Sequence, residues 1–186
     1  MTRLYWLMVA GAVLAAVGLA SGAAWAAAEA AKAKVELPAA VAKAVAENCP
    51  GTEIDKVEVE KEAGITLYDI EFKAGKGEIE VAEDGTVLDI ATIVTMKDVP
   101  EPAAKAIQKA AEGATIGQIE KSEVRAEIKK EGDKGTLVKL DKPKFVYEAE
   151  LVKGDQEGEI EVAADGTVIE GPKWKAKGAK EEEEKK

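Results

Sequence analysis

The stretch Gly77-Glu-Ile-Glu-Val-Ala-Glu-Asp-Gly-Thr-Val87 recurs 81 residues later as Gly158-Glu-Ile-Glu-Val-Ala-Ala-Asp-Gly-Thr-Val168, with ten of eleven positions identical. Matching segments precede each copy in the same order. They are YDIEF at Tyr68–Phe72 with YEAEL at Tyr147–Leu151, and the Ala-rich segments Leu37–Val45 and Val99–Ile107. Self-similarity of this kind is typical of an internal repeat. We therefore predict two copies of one module.

Each copy contains signals for a helix followed by strands. The Ala-rich segments follow Pro38 and Pro100, and proline is favoured in the first turn of a helix. Apolar residues then alternate with charged ones, and the Asp-Gly pairs at 84–85 and 165–166 mark tight turns between strands. Such alternation is typical of an antiparallel sheet with one side in water. The pattern predicts an α+β fold of two tandem modules, each a helix packed on an antiparallel meander sheet of about four strands.

The charged strand positions are mostly glutamates, which the alternation places on the face away from the core. They are Glu58, Glu60, Glu71, Glu78, Glu80, Glu148, Glu159 and Glu161. Paired-carboxyl catalysis needs one carboxyl with a raised pKa in a sheltered cleft, whereas these side chains are predicted to be solvated. By the same parity, core packing is favoured over partner contact for Tyr68 and Tyr147.

Residues 1–26 have the composition of a secretory signal peptide. Arg3 precedes the apolar run Leu4–Ala20, and the small residues that follow contain a cleavage motif at Ala24-Trp25-Ala26 and an equally good one at Ala26-Ala27-Ala28. Cleavage before Ala27 predicts a periplasmic or secreted protein with no membrane attachment. The alternative is an uncleaved anchor, because the run to Ala28 is long enough to cross a bilayer.

The predicted domain organisation follows from the repeat and the leader. It comprises a signal peptide at 1–26, a first module at 27–94, a second module at 95–172 with a hairpin insertion near 129–144, and a disordered Lys/Glu tail at 173–186. The second copy exceeds the first by 17 residues around this insertion. The insertion is either a docking element or a tolerated surface loop.

Composition excludes several classes of function. The chain has no His and one Cys, Cys49, which rules out His-based triads, His-ligated zinc and CxxC motifs. Cys49 is either a buried thiol or the site of a disulfide between chains. Residues 27–172 hold 19 Lys and Arg against 32 Asp and Glu, a charge of −13, which argues against nucleic-acid and anionic-lipid partners.

The sequence offers no catalytic, cofactor-binding or metal-ligating residues. The Asp-Gly turns at 84–85 and 165–166 share only fragments with the calcium-loop ligand series. We therefore predict no cofactor, no resident metal and no enzymatic activity. Weak calcium binding across the acidic strands stays open.

The leader and the order LPxAVxKAV, PGxxIxxVEVE, xxYDIEFK and GxIEVxxDGTV together resemble the PepSY-like group, also described as β-lactamase-inhibitor-like. The resemblance extends from Leu37 to about Glu170. It implies an extracytoplasmic, non-catalytic module that binds or inhibits partners such as peptidases.

These inferences lead to one functional hypothesis and one alternative. The hypothesis is a secreted or periplasmic binding module, peptidase- or hydrolase-inhibitor-like, that docks a protein or peptide partner on its sheet surface and the 129–144 hairpin. The alternative is an acidic extracytoplasmic calcium-binding protein.

Overall fold

Two prolines introduce the two helices of the protein. In this computed structural model, which describes residues 36–178, Pro38 precedes α1 (Ala39–Asn48) and Pro100 precedes α2 (Glu101–Ala110). Each proline carbonyl accepts the first intrahelical hydrogen bond, as expected for a residue that caps a helix. Neither helix in residues 36–178 has the length and apolar composition needed to cross a membrane. The predicted signal peptide, residues 1–26, lies outside the described residues.

Residues 36–178 also form nine strands and two short 3-10 helices. The strands are β1 (Ile54–Glu62), β2 (Ile65–Phe72), β3 (Glu78–Ala82), β4 (Val87–Val94), β5 (Thr115–Glu131), β6 (Lys134–Lys153), β7 (Gln156–Ala163), β8 (Val168–Glu170) and β9 (Lys175–Ala176). The 3-10 helices are Lys73–Gly75 and Met96–Asp98. Strand β9 lies within the predicted tail at 173–186, so that segment begins with ordered structure.

All nine strands belong to one antiparallel sheet, in the order β1 to β8 with β9 paired to β7. The prediction of two tandem helix-on-sheet modules is therefore wrong. A helix followed by four strands does occur twice along the chain, but β4 pairs directly with β5, placing Ala91 opposite Ser122 and Val94 opposite Ile119. This pairing satisfies two strand edges that separate sheets would leave open. An edge strand and a central strand have the same alternation of apolar and polar residues. The sequence pattern therefore did not reveal the pairing of β4 with β5.

Both helices pack on the same face of this sheet. α1 covers a cluster that includes Tyr68 and Ile70, whereas α2 covers a cluster that includes Tyr147 and Leu151. Ile90 and Val94, two positions of equal parity on β4, contact the first and second cluster respectively, which places both helices on one side. The prediction that Tyr68 and Tyr147 are core residues is confirmed, since both are buried.

The repeated Asp-Gly-Thr sequence forms the same turn twice. Asp84 Oδ1 accepts the Thr86 N–H at 2.8 Å, and the corresponding bond from Thr167 to Asp165 is 2.9 Å long. Only the glycine of each turn has positive φ, so these are type I turns closed by a left-handed glycine rather than turns with two positive φ values. A Cβ on Gly85 would lie 3.0 Å from the Ala40 carbonyl oxygen in α1. The glycine is therefore required by helix packing as well as by φ.

The candidate functional site: an acidic sheet face

The sheet face opposite the helices carries most of the acidic strand residues. These side chains alternate with the core residues of the same strands. We define the acidic face as Glu58, Glu60, Asp69, Glu71, Glu78, Glu80, Asp89, Glu120, Glu148, Glu150, Glu159, Glu161 and Glu170. The repeat explains why both halves of the sheet present the same chemistry.

Strand register aligns many of these carboxyl groups directly opposite one another. One row crosses β1 to β4 and the other crosses β5 to β8. The first consists of Glu58, Asp69, Glu80 and Asp89, and the second of Glu120, Glu148, Glu161 and Glu170. Like charges directly opposite on a sheet repel and destabilise it. The fold thus keeps an unfavourable arrangement that lysines or neutral residues would avoid.

Several of these carboxyl groups are withdrawn from solvent, which corrects the prediction of a fully solvated face. Asp89 is 4% exposed, Glu161 8% and Glu120 9%. The Oδ1 atom of Asp69 is buried without a hydrogen-bond partner among the described residues. Alternation correctly predicted the direction of the side chains. It did not predict their burial, which depends on the neighbouring side chains and elements that cover the face.

Burial and mutual repulsion raise the pKa of the carboxyl groups in the middle of the face. For Glu148, burial and then the charge of Glu159 raise the pKa from 4.5 to about 8. For Glu78, burial and then the charge of Asp69 raise the pKa well above its ordinary value. The Glu120 pKa is also raised, mainly by burial. Glu78 and Glu148 are therefore far less ionised at neutral pH than ordinary glutamates.

The outer part of the β5–β6 hairpin folds back over one end of the acidic face. Ile128 and Leu137 of the hairpin pack against a small apolar cluster on this side of the sheet, formed by Leu67, Ala82, Leu88 and Ala126. The Gly135 N–H donates to the Ala63 carbonyl at 2.7 Å, and Lys130 Nζ lies 2.8 Å from Glu62 Oε1. The predicted insertion near 129–144 therefore packs against the sheet of its own chain, beside the acidic face. An open groove between the hairpin and the sheet is lined by Ile65, Thr66, Asp84 and Leu137 among others.

Lysines contact the acidic face near its two ends. Lys56 Nζ, on β1, lies 2.8 Å from Glu58 Oε1 and 3.2 Å from Glu71 Oε1. Lys173, which follows β8, forms an ion pair with Glu170. These contacts lie on β1 and β2 and after β8, and acidic side chains outnumber lysines across the face, which gives it an excess of acidic groups. This excess favours a cationic ligand.

The arrangement differs from a metal centre. Within residues 36–178, no group of three or more His, Cys, Asp or Glu side chains could hold a metal ion. The carboxylates are spread over the sheet surface, whereas calcium takes six to eight converging oxygen ligands. Cys49 lies away from this face, at the end of α1, where it is half-buried and unbridged. Burial raises the pKa of its thiol.

Sequence reasoning missed part of the face. Asp69, Asp89, Glu120, Glu150 and Glu170 were not among the glutamates picked out by alternation. For Asp69 and Glu150 the signal was present, because each alternates with core residues in the repeated Tyr-containing strand. For Asp89 and Glu120 it was absent, because register irregularities beside them on β4 and β5 interrupt the alternation.

No family model and no curated protein matches the chain, but solved structures share its fold. A DUF2874 family protein from Bacteroides uniformis is 14% identical, with a TM-score of 0.50 over 73% of this chain and 88% of that chain. An inferred periplasmic protein from Bacteroides eggerthii is 10% identical, with a TM-score of 0.50 over 76% and 89%. A BLIP-like protein from Bacteroides fragilis is 12% identical, with a TM-score of 0.48 over 80% and 93%. At such identities the first two comparisons establish a shared fold and nothing further.

Proposed function

We propose that the protein is a non-catalytic, extracytoplasmic docking module whose acidic face binds a basic segment of a protein or peptide. The observation that carries this proposal is the pair of carboxylate rows across β1–β4 and β5–β8. Lysine or arginine side chains of a partner would replace carboxylate repulsion with attraction. The free protein would therefore keep an unfavourable surface that a partner relieves.

The proposed compartment rests on the leader at residues 1–26 and on the PepSY-like resemblance. The Bacteroides eggerthii neighbour, itself inferred to be periplasmic, has the same fold and supports this placement. We propose membership of the PepSY-like group on the same grounds, with residues 27–94 and 95–172 as the two repeat copies. The charge of −13 on residues 27–172 disfavours nucleic acid and anionic membranes as partners.

The charge of the hairpin favours one orientation of a bound partner over the reverse. Residues 129–144 contain six Lys against three Asp and Glu, so this segment has a charge of +3 beside the acidic face. A partner with a basic stretch followed by an acidic group would match both parts, and its reversed orientation would be repelled. If that stretch lies near the partner's own active site, docking inhibits the partner by blocking access.

A matched pair of variants tests the proposal in the chain from residue 27 to residue 186. The test variant carries Glu80→Gln, Glu150→Gln and Glu159→Gln on the acidic face. The control carries Glu47→Gln, Glu101→Gln and Glu112→Gln on or beside the helices. Both variants remove three negative charges, so a difference in their affinity for the partner shows that the position of the charges matters.

We expect wild type and control to bind an oligolysine peptide with similar affinity, and the test variant to bind at least tenfold more weakly. Binding of the wild type should weaken as salt increases, because the attraction is electrostatic. The same three proteins would then be used for affinity capture from an envelope extract. Equal weakening in both variants would show that only net charge matters, and the proposed docking face would then be wrong.

A further inference from the structure

The carboxyl groups of the acidic face are crowded in a way that favours protonation in the free protein. Glu148 on β6 lies opposite Glu120 on one side and Glu161 on the other. Asp69 on β2 lies opposite Glu58 and Glu80 in the same manner. With one Asp69 oxygen buried and unpartnered, and with Glu120 and Glu161 largely buried, water screens these repulsions poorly. Holding a proton removes the repulsion without moving a strand.

We infer that docking is linked to protons: the free acidic face holds protons at neutral pH and releases them when a cationic segment binds. This inference rests on the proposed function and states how that site is regulated. A cation placed against the face favours the ionised carboxylates, so their protons leave to solvent as binding occurs. Binding must then strengthen as pH rises and weaken as pH falls.

Every strand of the two rows contributes a charged group that influences the ionisation of the acidic face. By strand they are Lys56, Glu58 and Glu60 on β1, Asp69 and Glu71 on β2, Glu78 and Glu80 on β3, Asp89 on β4, Glu120 on β5, Glu148 and Glu150 on β6, Glu157, Glu159 and Glu161 on β7, Glu170 with Lys173 at β8, and Lys175 on β9, opposite Glu157. From the hairpin packed over one end, Lys130 faces Glu62 rather than the rows. For Glu78 and Glu148, burial and then neighbouring carboxylates raise the pKa. The raised pKa values of Asp69, Glu78 and Glu148 agree with this geometry.

Calorimetry with an oligolysine peptide measures the linkage directly. Titrations near neutral pH in two buffers of different ionisation enthalpy give the number of protons released per binding event. We expect net release of about one proton or more from the wild type, and a tenfold or greater gain in affinity between about pH 5 and pH 8. The double variant Glu78→Gln and Glu148→Gln should release fewer protons and lose most of this pH dependence. The control, Glu101→Gln with Glu112→Gln, should behave as the wild type.

A second measurement needs no ligand. Carbon-detected NMR of the Asp and Glu carboxyl groups in the wild type should show at least two that titrate above pH 6. If fewer than two carboxyl groups titrate above pH 6, the inference is overturned even though docking could still occur. Binding without proton release overturns the inference alone. Absence of peptide binding at every pH overturns both the inference and the proposed function.

Discussion

At the residue scale, the raised pKa of Glu148 determines whether its contribution to folding stability rises or falls with pH. Its pKa is about 8 in the folded protein and 4.5 in an unfolded chain, so the folded state binds more protons between these values. Stability from this group is therefore fully present below pH 4.5 and is lost as pH rises towards 8. This direction is opposite to that of a salt-bridged carboxylate.

We therefore predict that Glu148→Gln stabilises the protein at alkaline pH and leaves it nearly unchanged near pH 5. Glutamine keeps the shape of the protonated acid but cannot ionise, so the gain at pH 9 should be on the order of 1–2 kcal/mol. Thermal unfolding across pH measures it, with Glu112→Gln, at an exposed position just beyond α2, as the control. If the two variants gave parallel curves, burial of Glu148 would not control its ionisation.

Gly135 provides a second test at this scale, because it lies where the hairpin meets the β1–β2 turn. A Cβ there would come within 2.8 Å of Ile128 Cγ2 and 2.9 Å of Ala63 Cβ. We predict that Gly135→Ala destabilises the docked hairpin by about 1–3 kcal/mol, as overpacking commonly does. Chemical denaturation measures this cost. Gly171→Ala has open space around it and should change stability by less than about 0.5 kcal/mol.

At the element scale, the β5–β6 hairpin has two parts with different support. In its inner part, residues 146–153 of β6 lie between β5 and β7. In its outer part, residues 134–139 pair with β5 and are otherwise held by the packing of Leu137 on the small apolar cluster and by the Gly135 N–H bond to the Ala63 carbonyl. Local opening free energies follow the number of strand partners and the buried apolar contacts.

Hydrogen exchange should therefore separate the two parts. We predict that amides of residues 134–139 exchange at least tenfold faster than those of residues 147–151. Leu137→Ala should accelerate the outer part further and leave the inner part nearly unaffected, because the substitution removes a contact that only the outer part makes. Equal protection along β6 would show that the hairpin opens only with the whole sheet.

The same hairpin shows how far the sequence could predict the fold. The extra residues between Lys129 and Lys144 in the second repeat copy predicted its position. Its docking onto Leu67 and Ala82 could not be predicted, because alternation gives the face of a residue and not the element that crosses it. For the same reason the acidic residues were found and their burial was not.

At the scale of the whole molecule, the β4–β5 pairing joins the two halves of the sheet through central strands. Ala91, Thr92, Ile93 and Val94 lie opposite Ser122, Lys121, Glu120 and Ile119. The junction also brings the two carboxylate rows together, since the charge of Glu120 contributes to the raised pKa of Glu78. A continuous sheet thus makes one acidic face from two copies of a repeat.

Continuity of the sheet also predicts that the two halves unfold together. In the chain from residue 27 to 186 the one tryptophan is Trp174, which packs on the cluster under α2, whereas Ile70 lies in the cluster under α1 and is 0% exposed. Ile70→Ala should cost about 2–5 kcal/mol, and Trp174 fluorescence should report the loss with the same midpoint as circular dichroism. Ile169→Ala, at a half-exposed position on β8, should cost far less. A Trp174 transition unmoved by Ile70→Ala would mean that the halves unfold independently despite their shared sheet.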